Sequence, residues 1–183
     1  MKTSTFSAQR GVTLIEACIV LAITAIVAGS AAPGMQSLID ARRLDGAATQ
    51  LATDIQFVRS EAVARNEPLR LSVHATSTGS CYVIHTGNAD QCRCAEASAA
   101  SGPALCSGDA HEVKTVTIAT GDHIGLQANV ASVLFDPLHG TSTPTGTLRV
   151  TGASGRAVHH VINVMGRVRS CSPQAAAPGY RAC

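Results

Sequence analysis

Residues 12–32 form an apolar run with a single charge, Glu16, and follow eleven polar and basic residues, M-K-T-S-T-F-S-A-Q-R-G. At about 1.5 Å per residue, a helix over this run nearly spans a bilayer. No other segment constrains the fold as strongly, because a helix apolar on every side must be covered by lipid or by other helices. A secretory signal peptide would carry a small-residue cleavage site after its apolar region. Here the processing point is expected at Gly11, before that region, so the apolar helix stays in the mature chain.

The residues G-V-T-L-I-E at 11–16 resemble the type IV prepilin motif, with Val12 where that family usually has Phe. The resemblance implies cleavage after Gly11 by a prepilin peptidase and N-methylation of Val12. It also implies a single pass through the inner membrane with a periplasmic head, and later incorporation into a surface pilus. An intramembrane carboxylate is costly and needs a partner. For Glu16 the resemblance supplies one, the N-terminal amine of a neighbouring pilin during assembly.

Pro33-Gly34 closes the apolar run and is expected to loosen or kink the helix, since proline lacks the N–H and glycine lacks a Cβ. Beyond it Leu38, Leu44, Ala48, Leu51, Ile55, Val58 and Ala62 recur mostly at three- and four-residue steps, with Arg42, Asp45, Arg59 and Glu61 on other faces. This predicts an amphipathic second half of the helix, over 34–67, ending before Pro68.

From Pro68 the pattern changes to short β-rich runs at 69–74, 81–86, 113–118, 132–136, 146–151 and 157–164, separated by Gly, Pro, Ser and Thr clusters. With 3% aromatic residues and no Trp, the core must come mainly from Val, Ile, Leu and Ala. Two stretches, C-Y-V-I-H-T-G at 81–87 and L-F-D-P-L-H-G-T-S-T-P-T-G-T-L at 134–148, resemble the head of the FimT/GspH family of minor pilins and pseudopilins. The expected fold is therefore α+β and pilin-like. It comprises a leader (1–11), a transmembrane half-helix (12–33), an amphipathic half (34–67), a small antiparallel β-sandwich head (68–165) and a basic tail (166–183).

Seven Cys in 183 residues fit an exported chain in an oxidising space. Cys18 lies in the apolar run. The other six are disulfide candidates: Cys81, Cys92, Cys94 and Cys106 flank an Ala/Ser/Gly-rich loop at 88–112, and Cys171 and Cys183 bracket the tail. The first four could close two bridges or hold a zinc ion, but a Cys-x-Cys spacing is tighter than zinc usually takes. A Cys171–Cys183 bridge would bring Arg181 back toward Arg167 and Arg169.

Charge is unevenly distributed. Residues 12–136 carry seven basic groups against all twelve acids, a net of −5, whereas residues 137–183 carry five arginines and no acid, a net of +5. Such asymmetry points to a polyanionic partner for the C-terminal end. Arg167 and Arg169 are two apart, so on an extended segment both side chains project to one side and can fork N–H donors onto phosphates. Gly166-Arg167-Val168-Arg169 resembles the G-R-x-R motif of FimT-like pilins that bind DNA for natural transformation. That resemblance assigns DNA contact to Arg167 and Arg169, within a motif that includes Gly166, and the acid-free +5 segment adds Arg181, Arg149 and Arg156 as supporting positions. A strand edge blunted by arginines would look similar, but it would tolerate acids nearby.

His159 and His160 are adjacent on an expected strand and so face opposite ways, one packed and one exposed. Tyr180 is the single stacking candidate near the tail, so binding is expected to be to phosphates, without sequence preference and sensitive to salt. No phosphate loop, nucleophile elbow or zinc-protease signature occurs, which argues against an enzyme and against a cofactor. The expected partners are DNA, other pilins, the peptidase and the membrane. A secretion pseudopilin or a purely architectural minor pilin is the alternative.

Overall fold

The computed structural model describes residues 12–95 and 104–183, so Gly11 and the leader lie outside the described residues. It divides into two compact units, the first ending at Leu38 and the second Ile39–Cys183. One helix, α1 (Leu14–Arg65), is assigned across both. It is unbroken at Pro33-Gly34. A proline removes one i→i−4 bond, and the flanking turns carry the helix past it.

In the first unit, Thr13 begins the helix by accepting the Glu16 N–H at 3.3 Å, as the T-x-x-E spacing directs. Val12, Leu14, Ile15, Ile19, Leu21, Ile23 and Ile26 are all exposed, as is the free Cys18. The helix is long and apolar enough here to cross a membrane.

The second unit is the head. Within it Leu44, Ala48, Leu51, Ile55, Val58 and Ala62 are buried, at alternating steps of four and three, whereas Leu38 precedes the head and is exposed. The helix ends in a Schellman motif: Asn66 has φ +52°, its N–H reaches Val63 O, and the Glu67 N–H reaches Ala62 O.

The strands are β1 (Leu69–Thr76), β2 (Gly79–His85), β3 (Cys92–Arg93), β4 (Leu105–Cys106), β5 (Glu112–Ala119), β6 (Ile124–Ala128), β7 (Ser132–Phe135), β8 (Ser142–Thr143), β9 (Gly146–Gly152), β10 (Ala157–Ile162) and β11 (Val168–Cys171). All sheet pairings are antiparallel. One sheet has the order β5-β2-β1-β7-β8 and the other β11-β10-β9-β6, with β3-β4 a separate ribbon. Helix and both sheets share one core, in which the six helix residues meet Leu69, Leu71, Tyr82, Ile84, Leu126, Leu148, Val150, Val158 and Ile162.

A polar clamp ties helix to sheet. Asp54, 2% exposed, accepts from Tyr82 Oη at 2.6 Å, Lys114 Nζ at 2.6 Å and Gln50 Nε2 at 3.0 Å. Buried this way, Asp54 satisfies its carboxylate within the protein, and burial beside it raises the Tyr82 phenol above its ordinary pKa.

The outer face of the first sheet is covered by the described part of the 86–111 segment. Two disulfides, Cys81–Cys94 and Cys92–Cys106, fasten it and take up the four sulfurs weighed as zinc ligands. With Val83 and Ala110 these cysteines make a second apolar cluster.

The tail differs from the sequence expectation. Residues 168–171 form β11, an edge strand of the second sheet, and Val168, Ala177 and Tyr180 pack on the core. The strand was hidden because V-R-S-C is short and, of its two inward residues, Val168 and Ser170, only one is apolar.

Candidate nucleic-acid interface

The site is built on the second sheet. A four-residue turn, Asn163 to Gly166, joins β10 to β11. The Gly166 N–H reaches Asn163 O at 2.9 Å, the Arg167 N–H reaches Asn163 Oδ1 at 3.0 Å, and the Asn163 N–H reaches Arg167 O at 3.1 Å. Gly166 closes the turn at φ +68°, where a side chain is disfavoured, and a Cβ there would collide with Gly140 O. Gly166 therefore acts as a packing point. It lets the turn lie against the 137–140 loop, whose Gly140 O accepts from Arg59 Nε at 2.9 Å.

Beyond the turn the alternation of an extended chain holds. Val168 points inward and is half-buried, while Arg167 and Arg169 are exposed. Across the sheet Val161 pairs with Arg169 and with Thr147, and His159 pairs with Cys171 and with Arg149. Arg149, His159, Val161 and Arg169 thus share the outer face. Strand spacing places the Cα atoms of Arg149 and Arg169 about 12 Å apart. No acid occurs in β6, β9, β10 or β11. The side chains of Arg149, Arg167, Arg169 and Arg181 make no ion pair or hydrogen bond with a described residue. Asp136 lies in the loop beside Gly140, but its carboxylate accepts the His139 and Leu138 N–H groups at 2.9 and 3.1 Å. These bonds, the His139 one foremost, hold its pKa below the ordinary carboxylate value.

Arg181 is brought to the same face. A Cys171–Cys183 disulfide spans a Cα separation of 4.9 Å, and the Ser172 N–H reaches Arg181 O at 2.8 Å. Tyr180 is tied down, its hydroxyl donating to Asp45 Oδ1 at 3.0 Å, so the stacking role weighed for it has no free ring to use. Arg156 is not brought to Arg167 or Arg169, although it lies only about 10 Å along the strand from Arg149, which pairs with His159. It sits in the β9–β10 turn with Nε on Ser154 Oγ at 2.8 Å, at the far end of β10, about 20 Å along the strand from Arg167. Arg59, on the helix, is a neighbour that sequence reasoning missed. Nothing in its helical periodicity signals that the chain folds Gly140 and Gly166 against it.

The two histidines face opposite ways, but neither is exposed. His159 is half-buried on the outer face, and burial, then Arg149, lowers its pKa. His160 is fully buried between sheet and helix, with Nδ1 2.8 Å from Ser170 Oγ. Burial, aided by His159, pushes it down to about 4. The Ala48 backbone pulls the other way, but only weakly, because Nε2 forms no hydrogen bond of normal geometry.

Residues 6–32 match the prokaryotic N-terminal methylation motif, and residues 47–166 match the family described as Type II transport protein GspH. No curated protein matches. Among solved structures, the Pseudomonas aeruginosa type IV minor pilin FimU aligns with TM-score 0.52 and 18% identity, over 76% of this chain and 95% of that one. A second crystal form of FimU gives 0.48 and 19%, over 74% and 98%. The first likeness fixes the fold, a long helix on antiparallel sheets. The motif fits a membrane-anchored pilin with a periplasmic head, processed by a prepilin peptidase and assembled with other pilins. Since the family match spans well over half of the sequence, the chain belongs to the GspH family.

Proposed function

We propose that this chain is a minor pilin that binds DNA without sequence preference and takes part in DNA uptake. The observation that carries the reading is the acid-free outer face, where Arg167 and Arg169 stand exposed and unpaired among the described residues. A guanidinium with no carboxylate partner keeps its fork of donors for a phosphate. Arg149 and Arg181 extend the face, and Gly166 gives the turn its shape. The face offers no exposed aromatic ring, so contacts fall on the backbone and release counterions.

The family's own description favours a second reading, a secretion pseudopilin or an architectural minor pilin, in which the arginines only keep a sheet edge soluble. Titration of duplex DNA into the detergent-solubilised chain at several salt concentrations separates the two. On the DNA reading, Arg167→Gln with Arg169→Gln weakens binding to all sequences alike and flattens the log-affinity against log-salt slope by roughly 1.8. An unchanged slope gives precedence to the second reading. Transformation frequency of the same variant then reports on uptake.

A further inference from the structure

Between β11 and the returning tail lies a surface hollow of about 430 Å³, lined by Val161, Arg169, Cys171, Arg181 and Cys183 among others. Two arginines, from different segments, line it. The rest of its lining is mostly apolar, Val161, Ala182 and the Cys171–Cys183 bridge, with Ser170 as the one other polar side chain. Neither arginine has a carboxylate partner among the described residues.

Resting on the DNA reading above, we infer that this hollow is a seat for one backbone phosphate, completed by the disulfide, so that Arg181 contacts DNA only in the oxidised chain. Two forks of N–H donors facing a single concavity suit a phosphodiester, whose two free oxygens can each accept from both sides. Apolar lining reduces water's screening and strengthens the attraction.

The disulfide matters because of where Arg181 sits. On one side it is anchored through Tyr180 to Asp45 and through its own carbonyl to Ser172; on the other its sole covalent tie is Cys183 to Cys171. With the bridge closed, the arginine is held at both ends and loses little freedom on binding. With it open, that covalent tie is gone and the backbone after Arg181 is held only where Ala182 lies beside Ser172, so the arginine has more freedom to lose on binding.

The test is a double-mutant cycle on the full chain in detergent, with a mixed-sequence 20-base-pair duplex titrated over a salt series. Arg181→Gln should flatten the salt slope by roughly 0.9, about an eightfold loss at 0.1 M salt if counterion release carries the contact. The pair Cys171→Ser, Cys183→Ser should do the same, and adding Arg181→Gln to it should change nothing more. Arg181→Gln leaves the bridge in place, so it tests the seat even if the cysteine variant folds poorly. An unchanged slope for Arg181→Gln, or additive losses in the cycle, overturns the inference. Arg167→Gln lies outside the hollow and reports on the DNA reading alone. If it flattens the slope while Arg181→Gln does not, the seat falls and the reading stands.

Discussion

Acidification should loosen the head through His160, and the size of the effect follows from where that ring lies. His160 is buried on β10 between sheet and helix, and its pKa is pushed down to about 4, against 6.5 in an unfolded chain. The folded state thus binds its proton less readily, so this group's contribution is intact above pH 6.5 and lost as pH falls from there toward 4. At pH 4.5 an unfolded chain has already taken the proton and the folded one mostly has not. The difference amounts to about 2–3 kcal/mol relative to pH 7.5. His74, His85 and His159 are lowered too, burial being the leading cause for each, and act in the same direction. Urea unfolding of the Ile39–Cys183 unit, which contains the whole main core, at pH 7.5 and 4.5 measures the total. His160→Gln keeps a donor for Ser170 Oγ but cannot titrate, so its loss over that range should be smaller than wild type by about 2–3 kcal/mol. Equal losses in the two proteins would refute the assignment to His160.

Two further perturbations probe the turn and the anchor. Gly166→Ala should cost roughly 1–3 kcal/mol in the same unfolding assay, because a left-handed backbone and a collision with Gly140 O act together. Gly155→Ala, at φ +76° with nothing within 4 Å, should cost less; equal costs would remove the packing argument. Glu16→Ala should leave membrane insertion intact yet reduce incorporation into pili, since a carboxylate in hydrocarbon is tolerated when assembly gives it a partner. Unchanged abundance in sheared pilus fractions would reject that role.

Legibility differed sharply along the chain. The apolar run could be read from its unbroken length, and the six buried helix positions from Leu44 to Ala62 and the longer strands from a clear period, 3.6 or 2. β6 and β11 could not. I-G-L-Q-A is short and holds a glycine, and V-R-S-C offers one apolar inward residue, so neither gives enough alternation to count. Their membership in the second sheet is decided by pairing with β9 and β10, which is a tertiary fact. The site behaved similarly. The exposed pair Arg167 and Arg169 followed from a two-residue spacing, but which other arginines join them depends on register. Register brought Arg149 onto the face and left Arg156 at the far end of β10.

The same comparison changes how the G-R-V-R stretch should be understood. Its four residues perform two separate jobs. Gly166 and Val168 face inward, one allowing the turn to lie on the 137–140 loop and the other packing on the core. Arg167 and Arg169 face out because those two face in. The arginines are therefore aimed by the fold: the inward pair fixes the strand's rotation, and a one-residue slip would bury both guanidiniums against an apolar core. Such a slip is opposed twice, by the Gly166 contact at one end of β11 and by the Cys171–Cys183 bridge at the other. An edge strand of only four residues has weak pairing of its own, so these two fixings hold the surface arginines in place. It follows that changes at Gly166 or Val168 should impair any function of this face without touching a charge, and that changes at Arg167 or Arg169 should impair it without touching the fold.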